Sequence, residues 1–213
     1  MTTNRHDFWK RYSLRGLFVL MTLCCVILGL WSAYVHPFRR QANAIATLER
    51  LPVEVGFVSA DGPAWQRWLV TTMLGDDAYV IVDKVELRGP NVNDEVVREL
   101  AGLDWLTSLS LEQTQVTDVG LGVLRSLPNV QDLSLTYSQV TDGGLEQLNQ
   151  LPQLRYLKLT GTPITDSAVP TLADLPALQT LFVRWTRITD EGAGKLRELA
   201  PTREVYHHEL AVK

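Results

Sequence analysis

Cysteine and histidine are scarce in this 213-residue chain, which has two of the first and four of the second. Both cysteines, Cys24 and Cys25, fall inside one apolar run, so residues 36–213 carry no thiol and build neither a disulfide framework nor a cysteine zinc site. Leu23 stands where a small residue would precede a lipidated cysteine, which leaves Cys24 and Cys25 as small apolar residues of that run. Of the histidines, His6 and His36 flank the run, while His207 and His208 precede Glu209. Neighbours on a strand point to opposite faces, so that last trio does not converge on one ion. The chain also has no G-x-S-x-G, no glycine-rich phosphate loop and no H-E-x-x-H. Together these absences argue against catalysis, a metal, a cofactor or a small-molecule substrate. Positive charge is in deficit as well, with 20 Lys and Arg against 24 Asp and Glu. Residues 1–36 hold +3 of the net −4, which leaves −7 for the rest, a poor balance for nucleic acid or for adhesion to an anionic lipid surface by charge.

Charge of either sign is missing altogether from residues 16–35, GLFVLMTLCCVILGLWSAYV. At about 1.5 Å per residue such a helix spans the hydrocarbon core of roughly 30 Å. A cleavable signal peptide is the competing reading. Its apolar region is about 7–15 residues and ends in an A-x-A-like site, whereas the nearest match here is Trp31-Ser32-Ala33. The run is therefore expected to be an uncleaved transmembrane signal anchor, with Trp31 and Tyr34 in the interfacial aromatic belt. Arg5, Lys10, Arg11 and Arg15 outnumber Arg39 and Arg40, which predicts a cytoplasmic N-terminus and an extracytoplasmic remainder.

A step of 24 residues dominates the rest of the chain. Leu103, Leu127, Leu151, Leu175 and Leu199 keep it, as do Leu87, Leu111, Leu135, Leu159 and Val183, and Val92, Val116, Val140, Ile164 and Ile188. A polar column, Asp94, Asp118, Asp142, Asp166 and Asp190, keeps it too. The units LTSLSLEQTQV, VQDLSLTYSQV, LRYLKLTGTPI and LQTLFVRWTRI fit L-x-x-L-x-L-x-x-(N/C)-x-L, the pattern of a leucine-rich repeat. Each unit predicts a strand with alternating faces, as at Leu109 and Leu111 against Ser108, Ser110 and Glu112, then a short helix such as the one carrying Leu145, Leu148 and Leu151. The fold expected is an α/β leucine-rich repeat solenoid of about five coils, with parallel strands on the concave face and short helices on the convex face.

Thr117, Thr141, Thr165 and Thr189 each precede a repeated Asp where period two gives way to period 3.6, so Thr or Asp is expected to cap the helix start. A calcium ladder would need six to eight oxygens per ion, and only one carboxylate per coil recurs. Thr114, Ser138, Thr162 and Thr186, with Pro90 in the first coil, occupy the Asn/Cys position and are expected to bond the turn backbone. Gly143-Gly144 reads as a packing feature of a helix start.

The predicted organisation is a basic tail 1–15, the signal anchor 16–35, a membrane-proximal helix 36–52, an N-terminal cap 53–78 and repeats over 79–213. Solenoids close their ends with atypical coils. Trp65 and Trp68 supply the bulk for the cap, with ligand binding as their alternative role, and Val205, Tyr206 and His207 add a last strand. On the concave face the outward rows read Lys84, Ser108, Asp132, Tyr156, Thr180; then Glu86, Ser110, Ser134, Lys158, Phe182; then Arg88, Glu112, Thr136, Thr160, Arg184. Aromatic and arginine side chains, which binding hot spots favour, gather in the last coils. Tyr137, Tyr156, Lys158, Phe182, Arg184, Trp185 and Tyr206 are thus the candidate partner-binding residues, for a protein or peptide with acidic groups or, alternatively, for a cell-wall glycan. Covering the end of the sheet is the competing role for the same residues.

The basic tail, S-L-R-G-L-F-V-L-M-T-L-C-C-V, G-P-A-W-Q-R-W-L and the V-T-D-x-G-L units together resemble the single-pass, membrane-anchored leucine-rich repeat proteins of planctomycete-type bacteria, over nearly the whole chain. The repeats alone are also similar to those of internalin-like and F-box-associated proteins, although the apolar run leaves no room for an F-box-like module. The resemblance implies a location and an architecture and assigns no biochemical activity.

Overall fold

In the computed structural model, residues 14–51, 54–60, 63–74 and 81–207 are described. Helix α1, Leu14–Leu30, runs for 17 residues into a π-helical turn at Trp31–Val35, and this into α2, His36–Leu48, with Pro37 in its first turn. The α geometry expected over 16–35 therefore stops at Leu30. Among the described residues no helix is long and apolar enough to cross a membrane. The reason for the change lies downstream of the turn, where Val35 and Phe38 enter the body of the protein and are buried, while Leu20, Met21, Leu23, Val26, Ile27 and Leu28 of α1 are exposed. A π turn adds a residue to the helical ring and so re-aims the side chains beyond it.

Among the described residues seven strands form one sheet in chain order: β1 Glu54–Ala60, β2 Ile81–Arg88, β3 Ser108–Glu112, β4 Asp132–Ser134, β5 Tyr156–Lys158, β6 Thr180–Phe182 and β7 Glu204–Tyr206. β1 pairs antiparallel to β2, and every later pair is parallel with partners one repeat apart, as in Leu109↔Leu133 and Leu157↔Leu181. Strands this short survive because the apolar columns bury from coil to coil: Leu87, Leu111, Leu135, Leu159 and Val183 are fully enclosed. At roughly 1.5–3 kcal/mol per buried aliphatic side chain, one coil's set outweighs its three-residue ladder.

The convex returns are mostly tighter than expected. Gly120–Ser126 and Asp142–Gln150 are 3-10 helices; Asp166–Ala168 is a 3-10 turn leading into α5, Val169–Asp174; α4, Asp94–Arg98, and α6, Asp190–Leu199, are α-helices. The spacing Leu145, Leu148, Leu151 is three residues per turn, the period of a 3-10 helix, and all three are buried. In α6 the rotation per residue is smaller, so the buried face passes from Leu196 to Ala200, and Leu199, the fifth member of its column, is 62% exposed.

Of the two residues expected to cap, Thr or Asp, it is not the aspartates that do so; Asp94, Asp118, Asp142 and Asp166 each reach across to the next coil and accept two bonds from its threonine. Asp118 accepts from the Thr141 N–H at 2.7 Å and its hydroxyl at 2.6 Å, and Asp142 takes the same pair from Thr165 at the same distances. Asp94 with Thr117, and Asp166 with Thr189, repeat the arrangement at 2.6–2.8 Å. Capping falls to threonine and asparagine: Thr165 accepts from Ser167 N–H and Thr189 from Gly192 N–H, while Asn93 does so for α4. The glycines of T-D-x-G now have a cause. A Cβ on Gly120, Gly144 or Gly192 would lie 2.0–2.3 Å from an oxygen of the preceding coil's carboxylate. Thr114, Thr162 and Thr186 donate to the carbonyls of Leu111, Leu159 and Val183, as expected of the turn hydroxyls, whereas Ser138 Oγ has no partner among the described residues.

Helix α2 shares the N-terminal end of the solenoid with β1 and α3, Ala64–Leu74. Its Ala44 and Leu48 join the main core, and Phe38 packs on Trp105 at 4.5 Å beside Val70 and Ile81. Trp68, expected to cover that end, is instead 67% exposed, because its turn of α3 points away from Val70; the side chain of Trp65 lies outside those described. At the other end, the guanidinium of Arg203 donates to the carbonyls of Leu172, Leu175 and Leu178, which closes the C-terminus of α5. His207 is buried, with Nε2 2.7 Å from the Ile188 carbonyl, to which it donates, and Nδ1 3.5 Å from Asp190, the last carboxylate of the column. His208 and Glu209 lie outside the described residues.

Asp142→Ala removes both acceptors from Thr165 and is expected to cost about 1–3 kcal/mol in urea unfolding, against a few tenths for an exposed site such as Glu146. Thr189, through its N–H and then its hydroxyl, holds the Asp166 carboxyl below its ordinary value of 3.8. A depressed carboxylate contributes stability above the unfolded value and loses it as pH falls through the folded one. The advantage of the native protein over Asp166→Asn in unfolding midpoint should therefore be constant above pH 3.8 and shrink below it.

Candidate partner-binding surface

The register of the strands places the outward rows as the repeat demands: Lys84, Ser108, Asp132, Tyr156, Thr180 and Glu204 in one, and Glu86, Ser110, Ser134, Lys158, Phe182 and Tyr206 in the next. The two halves of this face differ in how their charges are met. In the early coils Arg88 lies 3.3 Å from Glu112, Ser134 donates to Glu112 at 3.0 Å, and Ser134 and Thr136 share a bond of 3.1 Å. Arg88, Glu112 and Ser134 line a shallow depression of about 420 Å³ that ends at Tyr156 and Lys158.

From Tyr156 onward the surface is aromatic. Tyr156 meets Phe182 at 5.2 Å, Phe182 stacks on Tyr206 at 4.5 Å with planes 9° apart, and the Lys158 ammonium sits 5.5 Å above the Tyr156 ring. Phe182 is thus half-buried between two rings, which explains an apolar residue on a polar sheet. Tyr206 Oη donates to Glu204 at 3.2 Å, and the charge of Glu204, then this bond, push the phenol above its ordinary value. Neither Lys158 nor Arg184 has an ion-pair partner among the described residues, and Arg184 Nε, though buried, meets no acceptor there.

Tyr137 and Trp185 do not lie on the strands with Tyr156, Lys158, Phe182 and Tyr206, and Arg184 stands just past the end of β6. Tyr137 and Trp185 occupy a fifth column at the 24-residue step, Gly89, Gln113, Tyr137, Gly161 and Trp185, every member of which has positive φ: 104°, 56°, 55°, 71° and 53°. Glycine adopts this left-handed conformation freely; a residue with a Cβ loses roughly 1–2 kcal/mol there. Tyr137 and Trp185 nonetheless stand there, exposed, with rings 6.2 Å apart and planes 24° apart. Gly161, between them in the column, is what makes room, since a Cβ on it would fall 2.4 Å from the Tyr137 ring. The signal was present in the sequence as two glycines in one column, and it is the positive φ, not the strand pattern, that gives it meaning. Among the described residues no group of three or more His, Cys, Asp or Glu is arranged to hold a metal ion.

A family model described as leucine rich repeat matches residues 104–164. No curated protein matches the chain. Among solved structures, a leucine-rich repeat protein of Leptospira interrogans aligns with 51% of this chain and 27% of its own at 23% identity and a TM-score of 0.41. An internalin (inlF) of Listeria monocytogenes aligns with 55% of this chain and 38% of its own at 22% identity and 0.37, and an internalin C2 of the same organism with 60% and 80% at 17% and 0.32. The chain thus spans well under half of the length of the first two. The family match and the parallel sheet make this a leucine-rich repeat solenoid of α/β class.

Gly161→Ala is expected to lower stability by more than about 1 kcal/mol, because Ala is strained at that φ and meets the Tyr137 ring. A smaller urea midpoint with an altered near-ultraviolet dichroism of Tyr137 would register both effects.

Proposed function

We propose that this is a non-catalytic, membrane-anchored leucine-rich repeat protein that binds an acidic segment of a protein partner on the C-terminal half of its concave sheet. The observation that carries the reading is the unequal pairing of charge. Arg88 is held by Glu112, whereas Lys158 and Arg184 meet no carboxylate among the described residues and flank the ring stack of Tyr156, Phe182 and Tyr206. An acidic ligand would meet both cations without breaking an existing pair, and the rings would supply the desolvated centre that concentrates binding energy.

The anchor rests on α1. Neither helix spans a bilayer alone, but Leu14–Leu30 and the turn Trp31–Val35 run without a break for roughly 30 Å, and the apolar side chains from Leu20 to Leu28 are exposed, as a helix that meets lipid would leave them. Because α2 continues directly from that turn and docks on the first coil, the solenoid would stand on the membrane without a free linker. The basic residues before the run orient the repeats to the extracytoplasmic side.

A photo-crosslinking residue at Phe182 in membranes of the native cell should yield a discrete protein adduct that a probe at Glu146 on the convex side does not, and Lys158→Glu with Arg184→Glu should reduce it about tenfold or more. Equal adducts from both probes would refute the assignment of the face. An export-dependent reporter after Lys213 should be active, and the repeats should resist protease in intact inner-membrane vesicles of inverted orientation; an inactive reporter would place them inside.

A further inference from the structure

We propose that Tyr137 and Trp185 form a second site, on the edge of the solenoid and separate from the concave patch, that takes the apolar face of a neutral pyranose ring in a polysaccharide. Three independent observations meet there. First, both residues hold positive φ in a column where Gly89 and Gly161 stand without strain, so the fold carries two aromatic rings at positions that glycine would fill more stably. Second, the rings are nearly parallel and exposed over Gly161, which has no side chain to cover them, and they make no bond that closes the turn: the turn's own links are the backbone bonds Tyr137 N–H to Thr160 carbonyl and Gly161 N–H to Arg184 carbonyl, which any residue would form. Third, the sequence beside the rings is free of acid. Residues 137–139, 161–163 and 185–187 contain no carboxylate in a chain with 24, and they include the exposed Gln139, whose amide donates to Gln115, and the exposed Arg187.

This chemistry selects one occupant. The C–H face of a pyranose carries partial positive charge and suits the negative face of an aromatic ring, and its equatorial hydroxyls, at the rim, would meet amide and guanidinium donors. An acidic peptide would find one cation here, Arg187, where the concave face offers two. The edge site is therefore independent of the concave one, and each can fail without the other.

The test titrates the full-length chain, in a detergent without a sugar headgroup, with the β-linked tetramers of glucose and of N-acetylglucosamine, by calorimetry and saturation-transfer NMR. Saturable binding of at least one is expected. Trp185→Gly and Tyr137→Gly should each weaken it at least tenfold while the thermal midpoint stays level or rises, because glycine is unstrained at that φ. Lys158→Glu with Arg184→Glu should bind the sugar as the native protein does. The proposal is overturned if neither tetramer binds saturably, if the glycine variants bind unchanged, if their midpoints fall and show the rings to be structural, or if the concave charge reversal abolishes binding and moves the sugar to the other face.

Discussion

Every coil of this solenoid is held to the next by one repeated contact, a carboxylate that accepts both the N–H and the hydroxyl of the threonine a coil away. The sheet alone would fix the register on the concave side only, through ladders as short as three residues. The Asp–Thr link fixes it on the far side of the turn, where the chain enters the convex return. With both sides pinned, the apolar columns fall into line and each return has room for at most about three turns of helix. The glycines of T-D-x-G arise from the same contact, since the carboxylate occupies the space their side chains would need. Ala168 stands at that position in the coil whose return changes from a 3-10 turn to α5.

A column that passes its bond to the next coil must end somewhere, and both ends are handled with different chemistry. At the start Asn93 replaces threonine and caps α4 while Asp94 begins the ladder. At the end Asp190 meets His207, whose other ring nitrogen is already committed to a backbone carbonyl. Arg203 gathers three carbonyls of the coil before it. Desolvation lowers the basicity of that guanidinium, the cost of placing a cation where it can serve three acceptors at once. Pro163 marks a different irregularity. Gln115, Gln139 and Arg187 stand at its position in the other coils and donate backbone N–H groups to the coil before, whereas proline has none to give.

Because the frame is this regular, departures from it are informative. The concave rows begin with charges that answer one another and end with cations and rings that do not. The left-handed column holds two glycines, which suit it, and three residues that do not, Gln113, Tyr137 and Trp185, two of them large and aromatic. Strain of this kind persists only where the surrounding ladder over-determines the backbone, and here the Asp–Thr links and the turn bonds on either side do so. The last coils thus carry a cationic and aromatic surface within the curve, and the exposed rings of Tyr137 and Trp185 stand apart from it.

Residue order alone dictates the coil. A 24-residue step in four columns sets the parallel register, the buried rows and the outward rows, because a stacked repeat places equivalent residues side by side, whereas the spacing of Leu145, Leu148 and Leu151 reads as an ordinary helical face and only the folded coil makes it a 3-10 return. It does not dictate what the aspartates bind, since an intercoil partner 23 residues away looks like a local cap when read along the chain. Nor does it separate Tyr137 and Trp185 from Tyr156, Phe182 and Tyr206, because strand alternation says nothing of the dihedral angles in the turn beyond the strand. Trp68 has the bulk of a cap, yet Phe38 and Trp105 fill that place; the π turn at Trp31–Val35 decides which side of the next helix faces the solenoid. Periodic, nearest-neighbour contacts are legible in one dimension. Turn conformation, chain ends and the aim of a helix depend on atoms distant in sequence, and only the folded chain brings those together.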